Sequence, residues 1–530
     1  MQPDDSSQHS RLLGSVLSIQ GALVVGHLLD RAFTGATPVM IGDLVGIDAG
    51  SRRVFGVVHS LRKGRRIDDK PLIEVHLLGE AAAEGHGGGS AFRRGVTVYP
   101  GLDALIYRAT PDEIRLVYAQ PKLANVRIGT LRHDAGIPAY ALVDGLLGKH
   151  FAILGSTGSG KSCAVTVILR AIIAAHPCAH ILMIDPHDEY GPAFGELAQR
   201  LDPSSLDLPY WLMTYDEIAA ILAPARDERG YAEGAILKEA IYRARLAWAG
   251  PEAGSHITVD TPIPYRLSDL ERLIEEAMGA LDKPEGAAPY RHLLARLRGV
   301  RADPRYAFIF QALHVRDSMA AVLSRIFRIP VAGKPVTLID ISAIPSEVVD
   351  VVVSLLCRLA FEFGLWSDRG AMTPVLLVCE EAHRYIPSEG APAFEPSRRA
   401  IGRIAKEGRK YGVSLCLVSQ RPAELSPTSL SQCGTIIALR MSNERDQNFV
   451  RNVLPDGSEW LIRSLPALGT GEAVVIGEGV SVPMQIHFDM LGAQHQPASQ
   501  TPAFSRAWCD EEPGPEVLKD TIGRWRHLRR

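Results

Sequence analysis

Cysteine is scarce and unpaired in this chain. Cys163, Cys178, Cys357, Cys379, Cys416, Cys433 and Cys509 are odd in number, scattered along 530 residues and form no C-x-x-C pair. A disulfide framework is excluded, and because several of these thiols fall in apolar core-type runs, reduced cysteines in a cytoplasmic protein are expected. Charge of one sign is also missing: the formal net charge of −3 rules out a uniformly basic nucleic-acid coat. Positive charge confined to one channel remains compatible with that balance. Met1 to Ser10 is polar, so no apolar signal core is expected there. No window has the uninterrupted apolar length of a bilayer span, and even Val351 to Trp366 is broken by Arg358 and Glu362. What is present is a hydrophobic content of 46% against 22% charged residues, which predicts a large core divided among two or three domains.

One stretch dominates the rest. Phe151-Ala152-Ile153-Leu154 reads as a buried strand, Gly155-Ser156-Thr157-Gly158-Ser159-Gly160-Lys161-Ser162 as a glycine-rich loop, and Cys163 to Ala175 as a helix. This is the pattern of a phosphate-binding P-loop. Glycines let successive amide N–H groups turn inward, and the helix N-terminus adds partial positive charge. Lys161 is expected to reach the β- and γ-phosphates of a nucleotide, and the Ser162 hydroxyl to ligate Mg2+, a hard cation that takes oxygen ligands. An isolated glycine turn would explain the glycines but not the Lys-Ser ending in this strand–loop–helix setting.

The second half of such a site follows another apolar strand, Val375 to Cys379. Glu380 and Glu381 stand at its carboxyl end, where parallel α/β sheets place their chemistry. Glu380 is assigned to the magnesium shell and Glu381 to polarising the attacking water. A helix N-terminus carrying two acids is the competing explanation. A third strand, Val413 to Val418, ends in Ser419-Gln420-Arg421-Pro422, placing Gln420 to sense the γ-phosphate or orient water. Just before it, Arg403 to Gly412 reads as a basic helix end closed by glycine. Arg409 there is either an arginine finger for a neighbouring subunit or a cation complementing the helix C-terminus, and spacing alone does not separate the two. Ala179 to Ile184 is a further core strand ended by Asp185, a carboxylate on the ligand side of the sheet. His187 with Asp185 and Asp188 is not read as a metal site, because no other His or Cys lies nearby at ligand spacing and an Asp-Pro turn explains the residues.

Taken together, Gly155 to Ser162, Asp185-Pro186-His187-Asp188-Glu189-Tyr190, Glu380-Glu381-Ala382-His383-Arg384-Tyr385, Lys406 to Gly412 and Ser419 to Pro422 resemble the HerA branch of the HerA/FtsK ATPases. The resemblance implies a RecA-like P-loop core, ATP and Mg2+ as cofactors, a homohexameric ring around double-stranded DNA, and Arg409 as the finger. Where the family usually has an aspartate before the catalytic glutamate, this chain has Glu380, one methylene longer.

The remaining sequence is divided accordingly. Residues 1–125 carry short β-type runs such as Val54 to Val58 and Ile73 to Leu77, separated by turns, with Gly85 to Ser90 as a loop and Val96 to Pro100 following. This predicts a small β-barrel similar to the amino-terminal barrel of HerA proteins, without the interleaved aromatic and basic face that stacks bases. Residues 126–200 and 331–490 are assigned to an α/β ATPase core. Residues 201–330 form a helical insertion, with Arg291, Arg296, Arg298, Arg301 and Arg305 read as a solvated face. Residues 491–530 are a tail or inter-subunit strap, whose Trp508 and Trp525 argue against simple disorder. Lys149 is a further candidate to reach a neighbour's nucleotide.

Arg398, Arg399 and Arg403 follow a Pro-, Gly- and Ala-rich loop, Pro387 to Pro396, and are candidates for sequence-independent contacts to DNA phosphates; an exposed helix start explains them too. The absence of any nuclease constellation means that cutting would need a partner. The family's pattern implies a NurA-like nuclease in DNA-end processing, or a nuclease or sirtuin-like effector in antiphage defence. The alternative is an ATP-binding ring that acts as a scaffold activating an effector, with little translocation. Neither reading involves a membrane, unlike the membrane-anchored FtsK-type pumps.

Overall fold

The computed structural model describes residues 11–30, 32, 37–63, 70–83, 91–224, 227–250, 256–281, 284–310, 315–388, 395–454, 459–499, 504–508 and 514–526. The loop expected at Gly85 to Ser90, most of the Pro387 to Pro396 loop and Cys509 lie outside these residues. Internal contacts divide the chain into two compact units, residues 1–175 with 416–490, and residues 176–415 with 491–530.

The first unit begins with strands β1 (Leu12–Gln20), β2 (Leu23–Leu28), β3 (Leu44–Ala49), β4 (Arg52–Arg62), β5 (Leu72–Ala82), β6 (Arg93–Arg94) and β7 (Leu105–Arg108). They pair antiparallel in the order β2-β1-β7-β3-β4-β5-β6, and β2 also pairs with β5, closing six strands into a barrel. Closure removes the exposed edges that short strands otherwise present. Val24, Val45, Ile47, Val54, Val58, Ile73, Val75 and Ile106 fill the interior without solvent exposure. Each such side chain contributes roughly 1.5–3 kcal/mol by leaving water. Val96 to Pro100 does not continue the barrel as a strand. The buried Glu80 carboxylate accepts from Thr97 N at 2.8 Å and Val98 N at 3.2 Å, so those amides are not available to a ladder.

The core strands, in chain order, are β8 (Asn125–Leu131), β9 (Pro138–Leu142), β10 (Phe151–Leu154), β11 (Ile181–Asp185), β12 (Ala198–Leu201), β13 (Val336–Asp340), β14 (Val375–Cys379), β15 (Val413–Ser419), β16 (Thr435–Leu439), β17 (Glu472–Gly477) and β18 (Met484–Phe488). Within the first unit β10 lies between two parallel neighbours. Leu154 is opposite Ser419 of β15 on one side and Ala438 of β16 on the other. From β16 the pairing turns antiparallel through β17, β18, β8 and β9. All four residues of β10 are buried, as expected of a parallel strand covered on both faces. The helix Lys161–Ala175 follows it and buries Ala164, Val165, Ile168, Leu169 and Ile172.

In the second unit the parallel order is β12-β13-β11-β14. Helices Tyr215–Leu222, Glu228–Ala249, Leu267–Gly279, Ala288–Ala302 and Met319–Phe327 occupy the stretch between β12 and β13. The first of these is closed by a capping box in which Thr214 and Glu217 satisfy each other's backbone amides. Arg245 is fully buried in this helical region and donates to the carbonyls of Trp211, Met213, Val259 and Thr261. The basic run is tied into its surroundings: Arg298 pairs with Glu275, Arg301 with Glu271 and Arg305 with Asp303, while Arg296 donates to the Ile221 carbonyl. Among the described residues no helix is long and apolar enough to cross a membrane. In Ser346–Trp366, Arg358 pairs with Glu362 at 2.8 Å and with the buried Glu217 at 2.9 Å. The tail's described helix, Pro515–Arg526, buries none of its side chains, and Trp508 and Trp525 are exposed within this chain.

Candidate active site

The loop that leaves β10 is held by its neighbours' backbones. Gly155 N donates to the Ser419 carbonyl at 3.2 Å, and Ser156 N to the Arg440 carbonyl at 2.9 Å. Ser156 Oγ donates to the same Arg440 oxygen at 2.9 Å. The loop then closes on itself through Ser159 N and Ser159 Oγ, which reach the Ser156 carbonyl at 3.2 and 2.7 Å. Gly158 and Gly160 have φ of 73° and 101°, the left-handed region that L side chains enter at a cost. Gly155 is required for space: a Cβ there would stand 2.7 Å from Ser159 Oγ and 2.9 Å from Leu439 Cβ.

Lys161 is mostly buried and its Nζ lies 3.2 Å from the Ser156 carbonyl, so the ammonium crosses the mouth of the loop. Gln420 reaches the same loop from the end of β15, its Oε1 accepting from Thr157 Oγ1 at 2.5 Å. Ser162 occupies the first turn of the helix. A second turn, absent from the sequence-based reading, braces the loop: Gly471 N donates to the Ser159 carbonyl at 3.0 Å. Glu472, paired with Arg132 at 2.9 Å and accepting from Gly469 N at 2.7 Å, fixes that turn. Gly469-Thr470-Gly471 was a legible glycine signal, but only the fold brings it to residue 159. Lys149, offered as a candidate for a neighbour's nucleotide, pairs within its own unit with Glu478 at 2.5 Å.

The acidic residues sit in the second unit, at the carboxyl end of β14, and both are buried. Glu381 has φ of 51°, a left-handed conformation that costs a residue with a side chain of order 1 kcal/mol or more and persists only where the surroundings enforce it. His383 Nδ1 lies 3.2 Å from one Glu381 oxygen and His187 Nε2 4.0 Å from the other. Glu380 Oε1 accepts from the Tyr190 hydroxyl at 3.0 Å. Asp185, expected with the nucleotide ligands, directs both carboxylate oxygens to its own turn, accepting from His187 N at 3.1 Å and Tyr190 N at 3.0 Å. Burial raises its pKa despite those two bonds.

The helix Glu395–Glu407 and the 3-10 turn Gly408–Tyr411 carry the basic candidates. Arg409 is exposed and has no ion-pair partner among the described residues. Gly412 at φ of 69° ends that turn. Arg398 and Arg399 both pair with Glu395, at 2.6 and 3.1 Å, Arg399 also approaches Asp216 at 3.4 Å, and Arg403 stacks 4.2 Å above the Phe361 ring. These three cations are engaged within their own unit.

A strand, phosphate loop and helix, together with an acidic pair closing a parallel strand, define a P-loop ATPase with a RecA-like α/β core. Residues 126–360 match the family model of the central domain of helicase HerA. The chain is 27% identical over 419 residues to the DNA double-strand break repair helicase HerA of Pyrococcus furiosus, covering 71% of each chain. It is 25% identical over 493 residues to that of Sulfurisphaera tokodaii, covering 88% of this chain and 93% of the other. Among solved structures, VirB4 of Thermoanaerobacter pseudethanolicus aligns with a TM-score of 0.49 at 17% identity, covering 71% of this chain and 98% of that one. The chain is thus similar to the HerA-type helicases, with the central domain of that family matched over residues 126–360.

Proposed function

We propose that the protein is an ATP-driven double-stranded DNA translocase that works as a homohexameric ring, hydrolyses ATP at the seams between subunits and serves a partner nuclease. The observation that carries this reading is the loop Gly155 to Ser162, whose backbone is already fixed in the turn that receives phosphates, in a chain with a HerA central domain. The relatives' names, DNA double-strand break repair helicases, support duplex DNA as the track and DNA-end processing as the setting. A NurA-like nuclease suits that setting, and an antiphage effector, nuclease or sirtuin-like, suits a defence setting.

In this account the loop amides and Lys161 bind the β- and γ-phosphates. Thr157 and Gln420, joined by a hydrogen bond, couple the loop to the end of β15, which makes Gln420 the γ-phosphate sensor. Ser162 and Glu380 supply hydroxyl and carboxylate oxygens, the hard donors that fit Mg2+. Bound with the nucleotide, that ion would neutralise charge on the phosphates. Glu381 accepts the proton of the attacking water, and His383 beside it holds the carboxylate's direction. The exposed guanidinium of Arg409 acts on a neighbouring subunit's nucleotide. Asp185 contributes through the turn it caps. Arg398, Arg399 and Arg403 contact duplex phosphates, exchanging weak surface pairs for phosphate oxygens.

Purified protein should turn over ATP faster with long duplex DNA and displace a protein roadblock from it. Lys161→Ala should abolish nucleotide binding. ATP turnover indifferent to duplex DNA, together with partner activation that survives Glu381→Gln, would replace the motor with the scaffold.

A further inference from the structure

The motif Asp185 to Tyr190 ends in an aromatic residue for which nucleotide binding gives no role. Tyr190 has no solvent exposure, and its ring stacks on Phe194 with centroids 6.3 Å apart. Its hydroxyl donates to Glu380 Oε1 at 3.0 Å. Its backbone is held from the other side, since the Asp185 carboxylate takes the amides of His187 and Tyr190. Glu380 in turn continues the ladder through its own amide, which donates to the Ile184 carbonyl at 3.3 Å. The three side chains therefore form a line: Asp185 fixes the turn, the turn aims Tyr190, and Tyr190 grips Glu380.

We infer that Tyr190 is a positioning residue that sets the reach of Glu380 toward the nucleotide-borne cation. Glutamate has one more rotatable bond than aspartate, and an unrestrained carboxylate at a strand end samples several rotamers. A hydroxyl donor restricts that choice. Because it is neutral, it orients the anion without cancelling its charge, as a lysine or arginine would. A buried tyrosine with its hydroxyl bonded is also rigid, having two side-chain torsions, both packed. The inference rests on the proposed magnesium role of Glu380.

Tyr190→Phe removes one oxygen and leaves the packing intact. The test is a magnesium titration of mant-ADP binding, followed by fluorescence, with thermal unfolding of the metal-free protein alongside. Tyr190→Phe should leave nucleotide affinity without Mg2+ unchanged and raise the Mg2+ midpoint about fivefold, the loss of a single charge-assisted hydrogen bond. In a Glu380→Asp background, where the shorter side chain has less to restrain, the same substitution should move the midpoint by less than about twofold; that non-additivity is the signature of action through Glu380. A lowered melting temperature with an unmoved midpoint, or equal shifts in both backgrounds, overturns the inference. Glu380→Gln separates the two levels. If it moves the midpoint while Tyr190→Phe does not, Tyr190 alone is misassigned, and if Glu380→Gln does not move it, the magnesium role falls and the inference with it.

Discussion

The phosphate loop and the acidic turn are held in different ways. Backbone partners fix the loop: Gly155, Ser156 and Ser159 are bonded to the carbonyl of Ser419, the carbonyl of Arg440 and the Gly471 amide. The acidic turn has a backbone tie as well, from Glu380 N to the Ile184 carbonyl at 3.3 Å, but side chains from other segments carry much of its support. Tyr190 grips Glu380, and Ser397 Oγ donates to the Tyr385 carbonyl just beyond the acids, at 3.0 Å, while bonding to Asp350. A backbone-held loop tolerates side-chain truncation but not added bulk. A turn held by side chains tolerates bulk poorly and loses alignment when one polar atom is removed.

The largest effect expected from this contrast is at the acids themselves. Glu381→Gln should bind nucleotide as the parent does while losing on the order of 10^2–10^4 in turnover, as removal of a general base does. A matching loss of binding would mean that the two elements are not separable. Next is Gly155→Ala, which forces a Cβ against Leu439 and should cost about 1–3 kcal/mol, read as roughly five- to 150-fold weaker nucleotide binding. Ser156→Ala, which removes a side chain but leaves its backbone bond to Arg440, should weaken binding by no more than about 1 kcal/mol. Equal losses from these two substitutions would erase the distinction.

A smaller effect is expected in the pH dependence of stability. Burial pushes the Asp350 carboxyl up to about 6, against the hydrogen bonds from Ser397. An unfolded aspartate titrates near 3.9, so between about pH 4 and 6 the folded state holds a proton that the unfolded state has released. This contribution is therefore fully favourable below about pH 4 and is lost as pH rises through about 6. Asp350→Asn should remove the slope, so that its melting temperature relative to the parent improves from about pH 4 to about pH 6 and levels off above that. A constant difference across that range would place the titration elsewhere.

The same contrast explains what could be read in the sequence. The P-loop was legible residue by residue, because glycines at fixed offsets and the Lys-Ser ending encode a local backbone turn. The buried strands β10, β11, β14 and β15 were legible as apolar runs, and the stretch between β12 and β13 as a helical insertion. The Tyr190–Glu380 contact spans 190 residues and leaves no local pattern. Nothing in the local sequence marks Arg245, because the four carbonyls it binds come from segments 14 to 34 residues away. Arg398 and Arg399 stand three and four residues after Glu395 on one helix, so their pairing follows from local spacing, whereas the stacking of Arg403 on Phe361 depends on how two helices pack.

The central claim is that ATP is hydrolysed across the seam between two copies of this chain, and mixing two inactive variants tests it most directly. Arg409→Ala and Glu381→Gln, each inactive alone, should recover turnover when co-assembled, to about a quarter of the parental rate per seam if copies mix at random. Mixed rings that bind nucleotide normally yet remain inactive would contradict the account.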